Sequence, residues 1–369
     1  DGVTFVAAPK ITAGPEDVVF VGWSRDVQTR IQKLDASGSL VWKNPTELPN
    51  PEPVQILSDL KAADDGTVIA SSVCYVSFLG AKHLYARKVA ADGTPAWPEW
   101  TAVLDGGSLQ TANFPTFVSD GAGGAVFTWY TVSPLQCWVQ RVDADGAELF
   151  PHDGVPVSTD NANARVSPSA AFVAADQSIY VAWRELRANQ SENGLYAQRF
   201  DASGARQWGD VGLEITPLSG DQLFSVTTLA DGAGASFHAI EELGFGDDRV
   251  RSTAVDPAGV TRWTPAVTEV STAPEDKSRL QATLAADGVA LLTWSNDDGA
   301  ETIQAQNVNR DGTLGPMDDP CAPDFTGDGM VNGADLGILL GAWGTDAGDL
   351  NDDGTTDGAD LGILLGDWG

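Results

Sequence analysis

The chain has 369 residues, with 52 Asp and Glu against 21 Lys and Arg, which gives a formal net charge of −31 at pH 7. A surplus of this size repels phosphate groups, so we expect neither nucleic acid nor an anionic membrane surface as a partner. No apolar run approaches the roughly 18 residues that a membrane-spanning helix needs, which predicts no membrane insertion. Cations are the natural counterpart of such a chain.

The N-terminal segment DGVTFVAAPK lacks the basic and apolar regions of a signal peptide, so we expect a mature form. The three cysteines, Cys74, Cys137 and Cys321, are too far apart in sequence to predict a disulfide-dense scaffold or a metal cluster. A bridge between Cys74 and Cys137 in adjacent repeats stays open, and so does a bridge from Cys321.

Six segments carry a glycine turn at intervals of 53 to 58 residues, and five of them have an aromatic residue four positions later. Each repeat also contains short alternating segments separated by Asp-Gly or similar turns, which predicts antiparallel strands joined by hairpins. Six four-stranded units predict a mainly β fold, a six-bladed β-propeller over residues 1–312. The turn glycines and their aromatics are Gly38 with Trp42, Gly93 with Trp97, Gly146 with Phe150, Gly204 with Trp208, Gly259 with Trp263, and Gly312 with none.

The two ends of the repeat region complement each other. The sixth unit stops after its third strand, TIQAQNVN, and the first residues, DGVTFVAA, resemble the fourth strands of other units. We therefore predict that the N-terminal strand completes the last blade and closes the propeller.

The Asp-x-x-Gly-x-x-x-Trp turn resembles the Trp-docking repeats of bacterial quinoprotein-type propellers and the Asp-box turns of sialidases, over Gly2 to Gly312. The recurrence of the aromatic at one place in each repeat predicts packing between blades and not a carbohydrate platform. The fifth unit has SFHAIEEL where four others have a tryptophan that closes the second strand. Those four are Trp23, Trp129, Trp183 and Trp294.

Charged residues follow the second strands. Paired carboxylates with arginines can perform glycoside chemistry, but we expect a solvated face of mixed charge. No Ser/His/Asp, zinc or glycine-rich phosphate motif is present, so the sequence predicts no catalytic residues. The charged and amide residues are Arg25, Asp26, Arg184, Glu185, Arg187, Glu241, Glu242, Asn296, Asp297 and Asp298.

The segment DFTGDGMVNGADLGILLGAWG, residues 324–344, recurs as DLNDDGTTDGADLGILLGDWG, residues 349–369. Each copy matches the oxygen-ligand loop D-x-[DN]-x-[DN]-G, with glycine at position 6, where a calcium loop turns sharply. We predict two calcium ions. The ligands at positions 1, 3, 5, 7, 9 and 12 are Asp324, Thr326, Asp328, Met330, Asn332 and Asp335 in the first loop, and Asp349, Asn351, Asp353, Thr355, Asp357 and Asp360 in the second.

Aspartate at position 12, with a helix-like stretch after each loop, resembles the type I dockerin, a paired-loop α module with EF-hand-type loops. The resemblance covers residues 324–369 and implies docking of a secreted protein onto a cohesin-like partner. Glycines recur at every fourth position of each helix, which leaves two alternatives: close packing between the helices, or a small-residue docking surface. The residues of that surface are Gly333, Ala334, Gly337 and Gly341, with Gly358, Ala359, Gly362 and Gly366.

Residues 313–323 form a short Pro-containing linker between the propeller and the module. The preferred hypothesis is a secreted, non-enzymatic binding or structural protein, displayed at the cell surface or assembled outside the cell through the calcium-loaded tail. Its partner would be a cohesin-like or other extracellular protein, or another copy of itself in a fibre or lattice, with a glycan as a further ligand. The alternative is a carbohydrate-active enzyme, a glycoside hydrolase or lyase, tethered by the same tail.

Overall fold

The computed structural model describes residues 9–315, except 64, 78, 244–246, 286–287, 298 and 300, and residues 323–369, except 327–329, 351–353, 367 and 369. The chain divides into two compact units, Asp1–Gly312 and Thr313–Gly369. The first unit is built of strands, and the second contains two α-helices. Among the described residues, no helix has the length and apolar character needed to cross a membrane.

The described strands form six antiparallel sheets, and five of these sheets have four strands. The first three sheets contain β1 (Lys10–Ala13), β2 (Val19–Arg25), β3 (Gln28–Leu34) and β4 (Thr46–Glu47); β5 (Val54–Ala62), β6 (Val68–Tyr75), β7 (Lys82–Val89) and β8 (Thr101–Leu104); and β9 (Phe117–Ser119), β10 (Ala125–Tyr130), β11 (Cys137–Val142) and β12 (Val155–Pro156). The fourth and fifth contain β13 (Ala164–Val173), β14 (Ser178–Arg187), β15 (Glu192–Phe200) and β16 (Leu213–Ser219); and β17 (Gln222–Asp231), β18 (Gly234–Glu242), β19 (Asp248–Val255) and β20 (Val267–Ser271). The described part of the sixth contains β21 (Asp276–Leu284), β22 (Ala290–Asp297) and β23 (Glu301–Val308).

Each sheet packs against the next sheet in chain order. The first strands of successive sheets contact one another, from β1 with β5 to β17 with β21. A hydrophobic cluster lies between each successive pair of sheets, from the first with the second to the fifth with the sixth. The sequence prediction of six repeated antiparallel units is confirmed at this level, while the predicted closing strand falls in residues 1–8, outside the described part of the chain.

The turn aromatics connect neighbouring sheets, as their repetition predicted. The indole of Trp97 donates a hydrogen bond to the carbonyl of Ala144 in the next turn, at 2.7 Å, and a Cβ added to Gly146 would lie 2.9 Å from the same ring. Gly146 has φ +89°, so both the backbone and the ring favour glycine here. Equivalent indole bonds run from Trp42 to Ala91, Trp208 to Pro257 and Trp263 to Arg310.

The structure decides one open alternative for the first unit and corrects one prediction. Cys74 and Cys137 are buried free thiols, so the bridge that was left open between them is not formed. Burial raises the pKa of the Cys137 thiol well above its ordinary value and makes it a poor nucleophile. The prediction of a solvated loop face is wrong for three of its residues. Glu185, Glu241 and Asn296 lie within β14, β18 and β22, and their side chains are buried.

The second unit folds around a small apolar core. Helices α1 (Gly333–Gly341) and α2 (Gly358–Gly366) follow the two predicted loops, as expected. Val331, Leu339 and Leu364 are buried together, and Phe325, Leu336, Leu350 and Leu361 pack against them. A core of this size gives little stability by itself, since small domains bury a low fraction of their surface.

Candidate functional site

The first loop of the tail is organised around the carboxylate of Asp335. This side chain is fully buried, and its two oxygens accept hydrogen bonds from the backbone N–H groups of Thr326 at 2.9 Å and Asn332 at 2.8 Å. The Thr326 hydroxyl donates to Asp324 at 3.0 Å. The fold therefore brings the predicted ligands at positions 1, 3 and 12 into one small volume, while Asp328 lies outside the described residues.

The second loop repeats this arrangement. Asp360 is fully buried and accepts from the N–H groups of Leu350 at 2.7 Å and Asp357 at 2.6 Å. The N–H of Gly354 donates to Asp349 at 2.5 Å, and Gly354 has φ +91°, the conformation that a sharp turn at position 6 requires. Asn351 and Asp353 lie outside the described residues.

The glycine faces of α1 and α2 are exposed. A Cβ added at any of these glycines would meet no atom of the described residues within 4 Å, so the alternative of close packing between the two helices through them is wrong. Large apolar side chains are exposed in the same two segments: Ile338, Leu340, Trp343, Leu365 and Trp368. The tail thus presents two similar surfaces of small and apolar residues, which include Gly333, Ala334, Gly337 and Gly341 of the first copy and Gly358, Ala359, Gly362 and Gly366 of the second.

A separate candidate site lies between the fourth and fifth sheets of the first unit. A cavity of about 300 Å³ opens there, lined by apolar residues from both sheets. Polar groups of β16, β18 and β19, together with Asp221 just before β17, complete its wall. The apolar lining includes Leu195, Leu223, Phe237, Ala239 and Val267, and the charged lining residues are Asp221, Glu241 and Arg251.

The charged end of this cavity contains more carboxylates than cations. Arg251 forms ion pairs with Glu241 and with Glu269, the latter at 2.7 Å. Burial raises the pKa of Glu241, and the nearby carboxylate of Asp221 acts in the same direction against the opposing effect of Arg251. A buried carboxyl with a raised pKa in a concave apolar site is a common feature of functional sites.

The other buried acid of the predicted loops has a structural role. Glu185 accepts hydrogen bonds from Arg165 at 3.0 Å and from the indole of Trp183 at 2.8 Å, and all three side chains are buried. Its charge is fully paired within the fourth sheet. We therefore do not place Glu185 in a catalytic site.

An exposed cluster around His152 is the remaining candidate. The imidazole contacts Glu148 at 2.8 Å and Asp105 at 2.9 Å, and Asp153 lies close enough to Asp105 and His152 for these three to share a cation. These hydrogen bonds, first to Glu148 and then to Asp105, raise the pKa of His152 to about 9. The protonated imidazole itself satisfies the carboxylates, so we interpret the cluster as a polar contact between the second and third sheets.

No family model and no curated protein matches the chain. Among solved structures, the chain is similar to an ulvan lyase described as a new family of polysaccharide lyase, with 11% identity, a TM-score of 0.54, and coverage of 82% of this chain and 81% of that one. It also matches the propeller of Dos1, with 11% identity, a TM-score of 0.43, and coverage of 80% and 67%. At 11% identity the ulvan lyase is comparable in fold alone, and the successive antiparallel sheets of the first unit are themselves the arrangement of a β-propeller.

Proposed function

We propose that the protein is a secreted, non-enzymatic six-bladed propeller that is displayed or assembled outside the cell through a calcium-dependent, dockerin-like tail. One observation carries this proposal: two copies of a loop and helix each surround a buried aspartate and each present an exposed face of glycine and apolar residues. No described residue packs against the glycines of this face, and exposed apolar patches commonly serve as contact sites for other proteins.

Calcium fits the chemistry of the two loops. The predicted donors are all oxygens, and a loop of this spacing offers the six or more that calcium prefers. Asp324, Thr326 and Asp335 would hold one ion with the rest of their loop, and Asp349 and Asp360 would hold the other. From Asp318 onward the chain has no Lys, Arg or Glu, so an ion would relieve the mutual repulsion of the loop carboxylates. When bound, calcium supplies folding free energy that the small apolar core lacks.

The docking partner would be a cohesin-like or other extracellular protein, or the propeller of another copy. A tail that docked onto a different surface of its neighbour would form a heterologous contact, and such contacts build fibres or lattices when they do not close. Size measurements on the purified chain separate self-assembly from docking onto another protein.

The double variant Asp335→Ala with Asp360→Ala tests the proposal. Each change removes a carboxylate that accepts two backbone hydrogen bonds in its loop, and we expect the tail to lose calcium binding and the chain to lose assembly or partner capture. The propeller should keep its melting temperature, because it belongs to the other compact unit. Light scattering and pull-down from culture medium, with calcium and with chelator, provide the readout.

A matched control is Asp346→Ala, which removes an aspartate of the same unit that lies between the two loops. This variant should bind calcium and assemble as the parent chain does. Assembly that survives both chelation and the double substitution would place the contact on the propeller and reject the proposed role of the tail.

A carbohydrate-active enzyme is the second candidate, favoured by the buried carboxyl of Glu241 beside Asp221 in the cavity. A carboxyl of raised pKa next to a second carboxylate is the pair that glycoside hydrolysis uses. The similarity to an ulvan lyase concerns the fold, and Arg251 is already paired with two glutamates, which disfavours an anionic sugar. Release of products from a polysaccharide panel, lost in Glu241→Gln, would favour this candidate over the first.

A further inference from the structure

The cavity between the fourth and fifth sheets lies where the repeat pattern is broken. In the fourth, fifth and sixth sheets, a β-bulge interrupts the pairing of the first two strands at the same point. The second-strand residue opposite this bulge is Trp183 in the fourth sheet, Ala239 in the fifth and Trp294 in the sixth. A methyl group therefore occupies the place of an indole, and Ala239 lines the cavity.

A second position of the fifth sheet also differs from its counterpart in the fourth sheet. The indole of Trp183 covers Gly212, where an added Cβ would lie 2.7 Å from the ring. Gly212 follows the turn aromatic Trp208 by four residues, and the residue in that position of the fifth sheet is Val267. Val267 also lines the cavity. The backbone of the fifth sheet thus keeps the register of its neighbours but lacks the ring that fills the same space in them.

The size and lining of this space fit a small aromatic ligand. A volume of about 300 Å³ is at the lower end of ligand pockets, which are mostly apolar with a few polar groups. An apolar cavity of half this volume in another protein stays dry and binds benzene. Leu223 and Phe237 are buried in the cavity wall and offer an apolar surface against which an aromatic ring can pack.

The charged side chains at the polar end of the cavity favour a cationic ligand. Asp221 and Glu241 line the cavity, and Glu269 pairs with Arg251 at its edge, so three carboxylates face a single guanidinium. An anionic ligand would meet a net negative wall, whereas an ammonium group would find carboxylates to accept its hydrogen bonds.

We propose that this cavity is a binding site for a small aromatic amine, whose ring takes the place of the missing indole beside Ala239 and whose ammonium group binds Asp221 and Glu241. The site is independent of the calcium loops and of docking by the tail. The proposed role of the site is to bind this ligand through packing of the ring and hydrogen bonds of the ammonium group, with no chemical step.

Three probes of one ring system and different charge test the proposal: tryptamine, indole and indole-3-acetate. By calorimetry on the full chain, tryptamine should bind most tightly, indole about tenfold more weakly because it lacks the charge-assisted hydrogen bond, and indole-3-acetate weakest. Equal binding of indole-3-acetate and tryptamine would overturn the charge assignment. Failure of all three to bind at millimolar concentration would overturn the site.

Variants locate the binding in the cavity. The double change Ala239→Trp with Val267→Gly restores the pattern of the fourth sheet, and we expect it to fold and to lose binding of tryptamine and indole alike. Ala239→Leu fills part of the cavity with a smaller side chain and should weaken binding even if the double variant fails to fold. A folded, filled variant that binds tryptamine as the parent does would reject the proposal.

A matched pair of glutamates tests the ammonium contact. Glu241→Gln should reduce tryptamine affinity to about that of indole, a loss of roughly tenfold, and leave indole affinity unchanged. Glu242→Gln changes the next residue along β18, which does not line the cavity, and should alter neither affinity. An equal effect of both substitutions would show that the response reflects net charge and not a contact in the cavity.

Discussion

Two neighbouring interfaces differ in the side chain at equivalent positions. One lies between the third and fourth sheets, and the other lies between the fourth and fifth sheets. In the first, Trp183 is fully buried and packs with Val126, Cys137 and Val139 of the third sheet. In the second, Ala239 holds the equivalent position and a cavity remains. The repeated backbone can therefore keep its strand register while one interface has a cavity where another has a buried indole.

The largest expected effect comes from removing the indole where it is present. Trp183→Ala should lower the free energy of unfolding by about 3–5 kcal/mol, because a large buried side chain leaves a cavity and Glu185 loses a hydrogen bond of 2.8 Å. Ala239→Gly, its counterpart in the fifth sheet, should change stability far less, since the space there is already open. Urea unfolding of both variants provides the comparison, and equal losses would show that the two interfaces do not differ as described.

The sequence predicted the repeated elements better than the cavity. Glycine turns, hairpin signals and the regular aromatics identified the six units and the packing role of Trp97 and Trp263, because local turn geometry and repetition determine these features. The doubled oxygen-ligand loop, with a helix-like stretch after each copy, predicted both tail helices. Position in a repeat is a strong constraint when each repeat has the same neighbours.

The burial of Glu241 could not be predicted in the same way. The absence of a tryptophan in the fifth unit was visible, but the adjacent glutamates suggested a solvated loop, and only three-dimensional packing places Glu241 beside Arg251 in a cavity. The paired change at Val267, where the fourth sheet has Gly212, was the signal that could have indicated missing volume. The exposure of the helix glycines also depended on packing, since periodicity alone allows a buried or an exposed face.

The next effect in size tests the docking of aromatics onto turns. Gly146 and Gly38 both have positive φ, +89° and +79°, but an added Cβ would meet Trp97 at 2.9 Å in the first case and nothing within 4 Å in the second. Gly38→Ala should therefore show only the backbone penalty of about 1–2 kcal/mol. Gly146→Ala should lose a further 1–3 kcal/mol or so from overpacking against the indole. Thermal unfolding of both variants measures the difference in stability. Equal destabilisation would show that the Trp97 indole does not contribute to the cost of the added methyl group.

The smallest expected effect concerns the polar contact between the second and third sheets, which differs from both apolar interfaces. The pKa of His152 is raised from 6.5 to about 9 by hydrogen bonds to Glu148 and Asp105. The folded state therefore holds a proton that the unfolded state releases, so this contact stabilises the fold fully below about pH 6.5, and its contribution disappears as the pH rises through about 9. His238 provides an internal control above about pH 7.5, because burial lowers its folded pKa from 6.5 to about 3, so the imidazole is neutral in both the folded and the unfolded state there. Between about pH 7.5 and 9, His152→Gln should flatten the decline in stability, while His238→Gln should leave the slope unchanged. The effect should be modest, since the His152 side chain is half exposed and water screens the charges. Denaturant unfolding at several pH values measures both slopes, and a parent chain whose stability rises across this window would contradict the assignment of the proton to His152.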